Sequence, residues 1–110
     1  MKELKIELSG RVQGISFRAI TKKFADKIGL KGYVSNRDDG SVSIVAQGSE
    51  EQLKELTDWI KSNPGASKIN NIKLQEQDAE KEYSDFQVIK KDPFLEDQKK
   101  SFSNLGKSVF

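Results

Sequence analysis

Gly10-Arg11-Val12-Gln13-Gly14-Ile15-Ser16-Phe17-Arg18 follows an alternating run, Leu4-Lys5-Ile6-Glu7-Leu8, and leads directly into a helical pattern. It therefore joins a strand to the first turn of a helix. Such a junction is a natural anion site, because a helix start leaves up to four backbone N–H groups without partners inside the helix and carries partial positive charge. The two glycines allow the backbone to curl close to a ligand, and Arg18 adds a planar fork of donors suited to phosphate.

Outward from the loop, Phe17, Ile20, Phe24 and Ile28 recur at three- and four-residue spacing, with Lys22, Lys23, Asp26 and Lys27 between them. That predicts an amphipathic helix ended by Gly29, with the lysines on a solvated face. Gly32–Asn36 and Val42–Ala46 read as two strands flanking Arg37-Asp38-Asp39-Gly40, whose Asp-Gly step signals a hairpin. Ser49 to Gln52 fits a capping box, and Leu53, Leu56, Trp59 and Ile60 form the apolar stripe of a second helix that stops before Asn63-Pro64-Gly65. Ile72 and Leu74 alternate as a fourth strand, with Ile69 out of phase and assigned to the preceding turn. Tyr83 to Ile89 reads as a short last strand with Phe86 and Val88 on one face. The order predicts an α+β fold, the ferredoxin-like two-layer sandwich: βαββαβ, a mostly antiparallel sheet with two helices on one face. Residues 1–90 form the expected domain, and 91–110 do not fit the plan and are expected to be a flexible tail.

Composition limits the chemistry. A chain of 110 residues fits one domain. Its 19 basic and 17 acidic residues are interspersed, which gives no broad field for a polyanion, so any anion preference must be local. The chain has no Cys, which rules out thiolate metal sites and cysteine nucleophiles, and no His, which removes the commonest general base near neutral pH. No signal peptide or long apolar run is evident, and the expected location is cytoplasmic.

A second motif lies on the hairpin, where Asn36 ends a strand just before the turn. Taken together, Gly10-x-Val12-Gln13-Gly14-x-x-Phe17-Arg18 and Gly32-Tyr33-Val34-x-Asn36-x-x-x-Gly40-x-Val42, with a later Gly48, resemble the acylphosphatase family over about residues 4 to 90. The resemblance implies an enzyme that hydrolyses the mixed anhydride of a carboxylic acid and phosphate. It implies a backbone cradle for phosphate over Arg11, Val12, Gln13, Gly14, Ile15, Ser16 and Phe17, phosphate binding by Arg18, and a water positioned by Asn36. It also implies a small-molecule acyl phosphate as substrate and no metal or organic cofactor, while the mixed charge and the lack of a long apolar run argue against a nucleic-acid or membrane partner and a core of this size can stand alone as a monomer. Two positions depart from the family's pattern: Ile15 replaces the usual Val, and Ser35 precedes the Asn, at the expected rim of the substrate site.

Elementary chemistry is compatible with this. An acyl phosphate is already activated, so positioning and charge stabilisation can carry most of the catalysis, and water can pass its proton to a substrate phosphate oxygen. Asp38 and Asp39 are rival bases, though both also suit a turn. Two other functions stay open on the sequence alone. One is a module that captures an acyl phosphate without hydrolysing it. The other is RNA binding through the sheet, which Lys31-Gly32-Tyr33-Val34 begins to resemble before the pattern fails at Val34 and Ser35. Tyr33 is expected to be half-buried in the sheet instead.

Overall fold

Period-two alternation of Leu4, Ile6 and Leu8 makes the first strand, β1 (Lys2–Arg11), and puts these three side chains on one buried face. The computed structural model describes residues 1–13 and 16–89; the predicted tail at 91–110, and Gly14 and Ile15 of the loop, lie outside the described residues. Next come α1 (Phe17–Ile28), β2 (Lys31–Asn36), β3 (Val42–Gly48), α2 (Glu50–Lys61), β4 (Lys68–Asp78) and β5 (Phe86–Ile89). The five strands lie in the order β4-β1-β3-β2-β5, all antiparallel except the β2–β5 pair. Both helices pack on the same face, so the fold is the ferredoxin-like sandwich with one added edge strand.

The register positions the core in rows. One row runs Leu74, Ile6, Ile44, Val34, Val88 across the sheet, and the next runs Ile72, Leu8, Val42, Asn36. Paired residues share a face. Asn36 therefore ends an otherwise apolar row on the helix side.

Helix α1 closes at Gly29, whose φ of 81° suits a residue without a Cβ, and the Gly29 and Leu30 amides reach back to the Asp26 and Ala25 carbonyls. Helix α2 opens with the complete capping box: the Gln52 amide donates to Ser49 Oγ at 3.1 Å and the Ser49 amide donates to Gln52 Oε1 at 2.8 Å. Gln52 Nε2 also donates to the Ile28 carbonyl at 2.8 Å, tying the start of α2 to the end of α1. Trp59 stacks on Phe24 with ring centroids 4.5 Å apart and lies 6.3 Å from Phe17, which joins the helices over the core. Among the described residues, no helix is long and apolar enough to cross a membrane.

Four readings are corrected. Ile69 belongs to β4 and not to a turn, because the register with β1 shifts by one residue between Ser9 and Gly10. The extra residue, Asn70, puts Ile69 and Ile72 on the same face, three positions apart. Gly10 lies within β1 and not in the loop: at φ 122° it faces the bulge, where an added Cβ would come within 2.2 Å of the Lys68 carbonyl oxygen. The last strand begins only at Phe86, since the Tyr83 amide is bound to Gln47 Oε1 at 3.0 Å instead of to a neighbouring strand. Lys22 is only partly solvated: its side chain stays 43% exposed, while its Nζ donates to the Phe86 carbonyl at 2.9 Å and to Asp26 at 2.8 Å.

Candidate active site

The N-terminus of α1 is uncapped. Ser16 takes the N-cap position with left-handed backbone angles (φ 62°, ψ 20°), its side chain makes no capping bond, and the first turn holds no acidic residue. Nothing within the helix therefore competes for the first amides or offsets the positive end of the dipole. A cavity of about 410 Å³ opens here, lined among the described residues by Val12, Ser16, Phe17, Arg18, Ala19, Asn36 and Val88.

Arg18 and Asn36 thus meet in one cavity although they lie on different elements. Arg18 is part-buried, and one guanidinium nitrogen, Nη1, donates to the Ile89 carbonyl at the long distance of 3.5 Å. Such a contact restrains the side chain weakly. Asn36 Oδ1 is buried and has no hydrogen-bond partner among the described residues. A buried carbonyl oxygen without a donor is costly, so this atom marks a place where a donor from outside the protein gains most.

The described loop residues take distinct places. Val12 and Phe17 are each 1% exposed and pin the two ends of the loop in the core. Gln13 does more than lend a backbone amide to a cradle: its Nε2 donates to the Arg37 carbonyl at 2.9 Å and to the Ser41 carbonyl at 2.8 Å. One side chain thereby ties the loop to the base of the β2–β3 hairpin, next to Asn36. Sequence offered no sign of this, because the two acceptors are main-chain atoms 24 and 28 positions away. Arg11 ends β1 opposite Lys68, is exposed, and does not line the cavity.

The hairpin explains its own acids. The Arg37 amide donates to the Ser41 carbonyl at 2.9 Å, the Gly40 amide to the Arg37 carbonyl at 3.2 Å, and Gly40 takes φ 90°. Asp39 Oδ1 accepts from both the hydroxyl and the amide of Ser41, and these bonds hold its carboxyl below the usual carboxylate range. That makes Asp39 a turn former and a weak proton acceptor. Neither Asp38 nor Asp39 lines the cavity among the described residues.

Two further expectations change. Ser35 is fully buried on the face of the sheet away from the helices, opposite Ser43, so it is not at the rim of the cavity. Tyr33 is only 7% exposed and has Tyr83 edge-on at 5.8 Å, with Lys81 over the Tyr83 ring. Its ring offers no open face for a stacked base.

Known proteins resemble this chain over most of its length. The acylphosphatase family model matches residues 4–88. An acylphosphatase of Pasteurella multocida is 47% identical over 79 residues, covering 72% of this chain and 88% of the relative. One from Thermotoga maritima is 42% identical over 88 residues, covering 80% of this chain and 97% of the relative. Among solved structures, the Bacillus subtilis acylphosphatase superposes with a TM-score of 0.77 at 36% identity, covering 81% of this chain and 99% of that one. With the fold and nearly the full length of these relatives shared, the chain belongs to the acylphosphatase family.

Proposed function

We propose that the protein hydrolyses the carboxyl-phosphate anhydride of small acyl phosphates to carboxylate and orthophosphate. The observation that carries this reading is the shared cavity, in which an arginine from an uncapped helix start faces an asparagine whose buried carbonyl oxygen has no partner among the described residues.

In this reading the first amides of α1, the loop backbone from Val12 to Phe17 and the Arg18 fork bind the phosphate oxygens. They offset charge on the phosphoryl group as it transfers. Asn36 Oδ1 accepts a hydrogen bond from the attacking water and aims it at phosphorus. The water oxygen bonds to phosphorus, the bond from phosphorus to the acyl oxygen breaks, and its electron pair leaves with the carboxylate. The proton of the water passes to a phosphate oxygen of the substrate, because the acids nearest in sequence are turn residues outside the cavity. The same reading carries a cytoplasmic, monomeric protein that needs only its small-molecule substrate.

Orthophosphate release from acetyl phosphate and benzoyl phosphate, followed with a chelator present, tests the activity. Release well above the uncatalysed background is expected. A rate equal to background, with phosphate still bound, would instead favour a module that only captures its ligand.

A further inference from the structure

Phe86 and Val88 share the helix-facing side of β5, yet Phe86 is 1% exposed and Val88 is 40% exposed. Val34, the register partner of Val88 on β2, is fully buried. The difference lies in what stands above them: Val88 lies at the open N-terminal end of α1, where it lines the cavity with Ser16, Arg18 and Ala19. A large apolar side chain left open inside a site built around an arginine invites an apolar group of the ligand.

Val88 is also held in place. The strand is tied on both sides of it, by Lys22 Nζ to the Phe86 carbonyl at 2.9 Å and by Arg18 Nη1 to the Ile89 carbonyl at 3.5 Å. Pairing with β2 fixes its register. The same arginine that faces the cavity therefore touches the strand that carries Val88, which sets the polar and apolar halves of the cavity side by side.

We infer that Val88, with the exposed methyl of Ala19, is the shelf on which the acyl group rests, and that this chain favours acyl phosphates whose acyl group is apolar and bulky over those with a small or charged one. This rests on the function proposed above. With phosphate at Arg18 and water at Asn36, the remaining described cavity wall is Val12, Ser16, Phe17, Ala19 and Val88, apolar but for the Ser16 hydroxyl, and it can reward a phenyl ring by burial but offers no charged partner to a carboxylate.

The test compares kcat/KM for benzoyl phosphate and for acetyl phosphate, each divided by its uncatalysed rate, in the unaltered protein, Val88→Ser and Val88→Leu. The benzoyl-to-acetyl ratio is expected to fall about tenfold in Val88→Ser, mainly through KM for benzoyl phosphate, and to be kept in Val88→Leu. Because the ratio is internal to each variant, a loss of folded protein cancels from it. An unchanged ratio in Val88→Ser, with both substrates still hydrolysed, would overturn the shelf and leave the proposed activity standing. Background rates for both substrates in the unaltered protein would overturn both.

Discussion

Arg18 sits where its side chain has one weak tie, the 3.5 Å contact to the Ile89 carbonyl, and its other guanidinium nitrogens have no hydrogen bond among the described residues. A planar fork can grip two phosphate oxygens at once, whereas an ammonium acts as a single point charge. Arg18→Lys should therefore lower kcat/KM for acetyl phosphate by about a hundredfold or more while leaving the melting temperature unchanged. Activity within a few fold of the unaltered protein would show that the fork is dispensable. At this scale Arg18 and Asn36 were readable because each stands in a spaced motif beside glycines. Val88 was readable only as an apolar strand residue, since nothing in its own sequence shows that the cavity at the start of α1 opens beside it.

Among the elements, the loop and the hairpin act as one unit through Gln13. Its amide donates to two main-chain carbonyls at the hairpin base that each also accept one main-chain amide, so removing it takes two hydrogen bonds away and lets the loop drift from Asn36. Gln13→Ala is expected to cost about 1–3 kcal/mol of stability and to lower kcat more than it raises the inhibition constant of orthophosphate, measured by urea unfolding and steady-state kinetics. Unaltered stability and turnover would mean the tie is idle. Most elements were legible because their signals are local: the Ser49–Gln52 box, Gly29 after α1, Gly40 in the hairpin. The bulge at Asn70 was not, because it is a property of the pairing with β1, and it shifted the phase of Ile69 in a way that alternation along one strand cannot reveal. Gly10 was misassigned for the same reason, its missing Cβ being required by the approach of β4 and not by the loop.

At the scale of the whole molecule, the strand order brings α1 and the end of β2 together at one edge of the sandwich, so two motifs 18 positions apart share a cavity. The fold and this convergence lie within the segment matched by the family, residues 4–88. Ending the chain after Lys91 should accordingly leave turnover intact and shift the melting temperature by less than about 4 °C. A larger fall would show that the last residues contribute to the core. The central claim is a division of labour, phosphate to Arg18 and water to Asn36. It is tested most directly by measuring kcat and the inhibition constant of orthophosphate together in Asn36→Ala and Arg18→Ala. Asn36→Ala should lose turnover by about a hundredfold or more and still be inhibited by orthophosphate as before, whereas Arg18→Ala should lose both. Weakened orthophosphate inhibition in Asn36→Ala, or turnover near normal in that variant, would contradict the assignment.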